Sequence, residues 1–244
     1  MAFPKNFKPS KKFDLIRLGK DNDGGYLVGK KTILKTKFLI SLGIGDDCSF
    51  EKDILKLNNK INIYCYDRYP LSKNYFLKEI IKSLVVLDFN NINHLIKVRN
   101  DYQKIFKNNN VKKRLIRYKS LIKIIKENNL NSETFLKVDI EGAEYRILDE
   151  ILENQKIFTG IILEFHDVDF HKEKIKTCIN YLKLDLTHIH VNNSSVIDLQ
   201  NDPTCIELTF EKNPEILGEN PIFPHPLDQK SFQYLNDKPL NFEQ

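Results

Sequence analysis

The sequence predicts an α/β protein built on one mostly parallel sheet with helices on both faces. Three observations carry that prediction. Short apolar runs alternate with helical segments along most of the chain. The runs are nearly continuous in apolar character, as strands covered on both faces must be. The last two runs have no helix between them, which predicts an antiparallel hairpin at the sheet's edge.

The elements follow in order. Residues 17–28 (RLGKDNDGGYLV) read as a turn feeding a short strand, with Asp-Gly-Gly supplying the positive φ of a tight turn. Residues 37–42 (KFLISL) form a buried strand that runs into glycines. Residues 50–57 space Phe50, Ile54, Leu55 and Leu57 as a helix does. Residues 61–66 (INIYCY) are a second strand, 75–83 a helix, and 84–89 (LVVLDF) a third strand. Helices follow at 95–107 and 121–128. Residues 134–140 (TFLKVDI) are a strand. Residues 143–152 are an amphipathic helix with Ala143, Ile147, Leu148, Ile151 and Leu152 on one face. Residues 159–165 (TGIILEF) are a strand and 172–182 a helix. Residues 186–191 and 205–210 (CIELTF) make the closing hairpin.

Composition narrows the class. A chain of 244 residues has room for one or two domains. Between Gly29 and Asp202 there is a single proline, Pro70, and no linker. The expected arrangement is therefore one domain over 1–244, with an N-terminal extension (1–30) and a C-terminal arm (212–244). With 41% hydrophobic and 29% charged residues the chain is too apolar to be disordered. The net charge of +5 is mild, and acidic residues interrupt the basic ones, which disfavours nucleic acid as a partner. Cys48, Cys65, Cys178 and Cys205 form no CxxC pair, so zinc and dithiol chemistry are not expected. Free cysteines and no apolar leader predict a cytoplasmic protein. No apolar stretch is long enough to span a membrane.

Open sheets of this kind bind ligands beyond the carboxyl ends of their strands. The first strand runs into Gly43-Ile44-Gly45-Asp46-Asp47-Cys48-Ser49. Gly43 and Gly45 let backbone approach a ligand closely. A dinucleotide fingerprint needs a third glycine where Cys48 stands, and Asp46 and Asp47 would repel a pyrophosphate. A cationic cofactor suits the loop better, and S-adenosylmethionine carries a sulfonium and an ammonium but no phosphate. The bland alternative is a tight turn whose aspartates cap the next helix. Asp67 ends the second strand, placed to hydrogen-bond the hydroxyls of a ribose.

The segment FLKVDIEGAEYRIL (135–148) resembles the signature of FkbM-type methyltransferases, through Leu136, Lys137, Asp139, Glu141, Gly142, Ala143 and Glu144. SLGIGDDCSFE resembles the cofactor loop of such enzymes. HIHVNN (188–193), IELTF (206–210) and FPHPLDQ (223–229) resemble the closing hairpin and tail of a subset of them. The resemblance covers roughly residues 17–232. It implies a seven-stranded class I (Rossmann-like) methyltransferase fold, S-adenosylmethionine as cofactor, and methyl transfer to oxygen. Sugar and glycan hydroxyls are frequent acceptors in the family, so a small-molecule or glycan acceptor, free or nucleotide-linked, is expected. The cofactor contacts expected are Gly43, Gly45, Asp47, Ser49, Asp67 and Arg68.

A hydroxyl must lose its proton to attack the methyl group. A positioned base can take it, or a divalent metal such as magnesium can lower its pKa. Asp139 and Glu141 share a strand face at the end of the fourth strand, and Glu164 and His166 do so on the next. Asp139, Glu141 and His166 are therefore the catalytic candidates. Asp139, Glu164 and His166 are the candidate metal set, in the manner of macrocin-type sugar methyltransferases, although the sequence here reads EFHD and not a run of aspartates. A solvated loop or a helix cap explains the same residues without chemistry. Tyr26, His190, Asn192 and Asn193 are candidate acceptor contacts, and Asp23 is a candidate for closing over the cofactor. Two rival readings stand beside this one: a nicotinamide-dependent oxidoreductase, and a non-catalytic cofactor-binding protein. The sequence leaves a homo-oligomer open.

Overall fold

The computed structural model describes residues 3–67, 73–115, 120–195 and 203–243. The chain begins with β1 (Lys12–Phe13) and a hairpin of β2 (Ile16–Gly19) and β3 (Gly25–Val28). It continues through α1 (Lys30–Lys35), β4 (Phe38–Leu42), α2 (Ser49–Leu57) and β5 (Asn62–Asp67). Next come α3 (Lys73–Val85), α4 (Phe89–Ile105), β6 (Val111–Leu115), α5 (Leu121–Glu127) and β7 (Thr134–Val138). The last part holds α6 (Leu148–Asn154), β8 (Phe158–His166), α7 (Val168–Tyr181), β9 (Asp185–Val191), β10 (Cys205–Glu211) and β11 (Ile216–Gly218).

Seven strands form one sheet in the order β6-β5-β4-β7-β8-β10-β9. The first five pair in parallel, and β10 lies antiparallel between β8 and β9. This is the Rossmann-like class I methyltransferase fold that the sequence predicts, with the closing hairpin at the sheet's edge. Successive strand residues feed opposite faces. Leu39, Ile63 and Phe135 enter the core under α2, α3 and α4. Ile40, Tyr64 and Leu136 enter the core under α5, α6 and α7. Both faces are thus buried, which is why the strands read as unbroken apolar runs.

Three expectations change. Residues 84–89 are not a strand: Leu84 and Val85 finish α3, and Asp88 caps α4 by accepting from the Asn91 N–H at 3.0 Å. Helical spacing wins because Phe76, Leu95, Val98 and Tyr102 are the residues that reach the core. The third strand of the first half is β6, whose sequence VKKRL hides it. As an outer strand with one neighbour it carries charge, and Lys113 sits 4.3 Å from the Tyr102 ring centre. Residues 143–152 divide into a 3₁₀ turn (Glu144–Arg146) and α6, because Glu144 turns inward.

The two ends of the chain meet. β1 pairs with β11, and Phe3 accepts from and donates to backbone at 241–243. The β2–β3 hairpin lies over the carboxyl ends of the central strands, so residues 17–28 supply a wall of the site as well as a turn.

Candidate active site

The strand order reverses between β4 and β7, and a cleft of about 1300 Å³ opens there. Gly43 sits at the reversal with φ +79°. A Cβ there would lie 1.5 Å from the Asp139 carbonyl oxygen, so no other residue fits between the two strand ends. Gly45, at φ +53°, has open space where a side chain would stand, and its backbone faces the cleft. Its N–H donates to Asp67 Oδ2 at 2.8 Å, and its carbonyl accepts from the Tyr102 hydroxyl. Asp47 accepts from the Ser49 N–H at 2.9 Å and lies 3.7 Å from the Lys20 ammonium. Asp46 meets His94 Nε2 at 3.2 Å.

Across the cleft, four polar side chains converge. The Tyr26 hydroxyl lies 3.0 Å from Glu164 Oε2 and 3.3 Å from Asp139 Oδ2. The Lys137 ammonium lies 3.5 Å from Asp139 Oδ2 and donates to the Gly43 carbonyl at 3.3 Å. Lys137 is buried, and burial disfavours its charge, but Asp139, Glu51 and Glu164 raise its pKa and keep it an ammonium. Burial and the neighbouring Asp139 charge push the Glu164 pKa up to about 7. Burial beside the same two carboxylates pushes the Tyr26 phenol well above its usual range.

Behind this group, Glu144 organises the loop after β7. It is fully buried, and its Oε1 accepts from the N–H groups of Ile140 and Gly142 and meets His166 Nδ1, each at 3.1 Å. The loop includes Glu141 at φ +54° and Gly142 at φ +90°. Burial works against charge on His166. The hydrogen bond to Glu144 and the charges of Glu144, Glu164 and Glu141 outweigh it, and the imidazole pKa rises to about 9.

A second polar cluster lies away from the cleft. His188 Nε2 meets Asp228 Oδ1 at 2.8 Å, and His190 Nε2 meets Ser231 Oγ at 3.4 Å. Asn193 accepts from the Phe232 N–H at 2.8 Å and donates to the Phe232 and Leu235 carbonyls. Asn192 reaches Asp23 Oδ1 at 3.5 Å. Burial pushes the His190 pKa down to about 4, so the ring is neutral. His188, His190 and Asn193 tie the tail to the end of β9, and Asn192 instead meets the β2–β3 turn. Gln229 carries the tie to the β2–β3 turn by accepting from the Asn22 N–H at 2.8 Å.

The sequence-predicted residues thus separate. Gly43, Gly45, Asp47, Asp67, Tyr26, Asp139, Glu141 and Glu164 line the cleft, as does Asp23. Ser49 begins α2 beneath it, and Arg68 lies outside the described residues. His166 supports the wall from behind and does not line the cleft. Its raised pKa favours the imidazolium over the neutral ring that a general base needs. Of the expected acceptor contacts, His190 and Asn193 bond the tail at Ser231, Phe232 and Leu235, while Asn192 reaches Asp23 at the cleft wall and accepts from Ser194. Sequence reasoning missed Lys137, Glu51 and Glu144 as parts of the site. Lys137 and Glu144 stood inside the signature segment, but nothing in the residue pattern marks a buried charge.

The expected metal set does not close as drawn. Asp139, Glu141 and His166 bring one ligand atom each within 4.8 Å, as do Glu164, His166 and Cys205, but Asp139 and Glu164 fall in different groups. The Tyr26 hydroxyl spans the gap between them, and the Lys137 ammonium stands 3.5 Å from Asp139 Oδ2 where a cation would bind. The donor set fits an organised proton network better than a magnesium ion, which prefers oxygen ligands.

No protein-family profile matches the sequence. No curated protein matches it either. Among solved structures the chain is similar to a precorrin-6y C5,15-methyltransferase from Geobacter metallireducens GS-15. The two are 14% identical over 75% of this chain and 86% of that chain, with a TM-score of 0.42. It is similar to the METTL16 MTase domain at 14% identity, covering 75% of this chain and 64% of that one, with a TM-score of 0.43. It is also similar to M. jannaschii TYW2 in complex with AdoMet, 12% identical over 75% and 74% of the two chains, with a TM-score of 0.36.

Proposed function

We propose that this chain is an S-adenosylmethionine-dependent methyltransferase that methylates a hydroxyl group of a carbohydrate or similar polyhydroxyl acceptor. The observation that carries the proposal is the glycine turn after β4, which opens bare backbone onto a cleft rimmed by Asp46, Asp47 and Asp67. Carboxylates there repel a pyrophosphate and attract a cationic cofactor, which disfavours a nicotinamide dinucleotide. Throughout the cleft, carboxylates outnumber the cations Lys20, Lys137 and Arg146. That balance favours an uncharged acceptor over a phosphodiester chain.

When bound, the cofactor supplies an electrophilic methyl group, and the remaining work is positioning and proton removal. Gly43 and Gly45 hold the turn open, and Asp67 is the residue for the ribose. Glu164, with a pKa near neutrality, is the residue for the acceptor proton. Tyr26 holds Glu164 and Asp139 at a fixed separation. Lys137 bridges Asp139 and the Gly43 carbonyl. His166 and Glu144 fix the loop from behind.

The test is a thermal-shift titration with S-adenosylhomocysteine, with NADH beside it. At a hundredfold excess over its Kd a ligand adds about 2.7 kcal/mol, which for a chain of this size raises Tm by roughly 5–11 °C. A rise with S-adenosylhomocysteine and none with NADH is expected. A rise with NADH alone, or with neither, removes the proposal's basis. Acceptor screening then starts from free and nucleotide-linked sugars, with turnover expected to survive EDTA.

A further inference from the structure

The α3–α4 hairpin carries an exposed apolar stripe outside the site. On α3, Leu77, Ile81, Leu84 and Val85 follow i, i+4, i+7, i+8 spacing and share one helix face. That face is exposed, while Phe76 and Ser83 on the opposite face are buried. The stripe continues round the turn through Val86, Leu87 and Phe89. From Leu84 to Phe89 the apolar side chains are 49–79% exposed. Single exposed apolar residues are ordinary, but a contiguous run of this size marks a contact surface.

Leu87 adds an independent observation. It holds φ +55°, where glycine or asparagine is at ease and a branched apolar residue is strained. Its side chain gains no burial in return. The residue at the apex is thus suited to an environment other than water.

The charges around the stripe give the character of that environment. Lys78, Lys97 and Arg99 are exposed and make no ion pair among the described residues. The hairpin's acidic groups are engaged: Glu79 with Lys82, Asp101 with Lys52, and Asp88 on the α4 N-terminus. An exposed apolar stripe on a helical hairpin that also carries cations without ion-pair partners among the described residues is the pattern of an element that meets a lipid interface. We propose that the α3–α4 hairpin docks this protein peripherally on an anionic lipid surface, with Leu84–Phe89 side chains entering the headgroup layer and Lys78, Lys97 and Arg99 meeting lipid phosphates. No helix among the described residues is long and apolar enough to cross a membrane, and docking does not require one. The inference does not depend on the methyltransferase reading.

The experiment is co-sedimentation of the full chain with vesicles of phosphatidylcholine alone and with added phosphatidylglycerol, at low and high salt. Binding to the anionic vesicles that weakens with salt is expected. The double substitution Val85→Glu, Leu87→Glu should abolish it. Lys78→Gln with Arg99→Gln should weaken it roughly tenfold or more. Unchanged Tm and unchanged far-ultraviolet circular dichroism in each variant establish that the fold survives. Absence of anionic-vesicle binding by the wild-type chain overturns the proposal, as does binding that the glutamate pair leaves intact. A wild-type dimer in light scattering that the glutamate pair returns to monomer overturns it too, by assigning the stripe to a second copy.

Discussion

A carboxyl group with a pKa near 7 is a better base at neutral pH than an imidazole with a pKa near 9. On the proposed reading that contrast favours Glu164 over His166 as the base. On that reading, Glu164 takes the acceptor proton near neutrality. His166 is surrounded by Glu144, Glu141 and Glu164 and stays charged. Glu164→Gln is expected to lower kcat/KM roughly 10²- to 10⁴-fold. The wild-type profile should rise with pH through about 7, and that limb should vanish in the variant. A limb that stays in place in Glu164→Gln assigns the base elsewhere. At this scale the sequence was partly legible. Asp139 and Glu164 announced themselves as carboxylates at strand ends. Lys137 did not, because a lysine within a strand reads as a solvent-facing alternation until the neighbouring strand and helix close over it.

At the scale of elements, the α3–α4 connection is where backbone and side chain disagree most. The run 84–89 has the composition of a buried strand, and its exposure is what misleads. A segment's apolar character records that it will meet something apolar, without saying that the partner is its own core. Leu87→Asn should relieve the left-handed backbone and stabilise the isolated protein by about 1 kcal/mol, read as a higher Tm in thermal unfolding. A lower Tm would mean that the leucine packs in solution. The reverse error occurred at β6, where Lys112, Lys113 and Arg114 concealed a strand. An outer strand needs apolar character on fewer contacts, and charge protects its free edge.

For the whole molecule, buried ionisable groups tie stability to pH. The His166 pKa rises from 6.5 to about 9 on folding, so its stabilising contribution is complete below about 6.5 and is lost as pH rises through about 9. Glu164, raised from 4.5 to about 7, likewise loses its contribution as pH climbs, and that loss is complete soon after neutrality. His190 and Asp228 have lowered values and act at acidic pH, outside that window. Thermal midpoints should therefore fall between about pH 6.5 and 9, and His166→Gln should flatten the slope. An equal slope in the variant would show that the Glu144–His166 pair does not supply it.

The sequence by itself determined the alternation of strands and helices, the closing hairpin, the glycine turn and the carboxylates at strand ends. These are written in local spacing, which period-two and period-3.6 patterns and turn residues encode directly. Only the tertiary structure decided which polar groups share a cleft. Glu164 and Asp139 come from neighbouring strands and are joined by Tyr26 from a hairpin more than a hundred residues away. His190 and Asn193 have the same residue chemistry as binding groups, and they bond the tail. Whether a polar side chain is free for a ligand depends on its neighbours in space, and electrostatic shifts depend on burial that no residue carries in its own name.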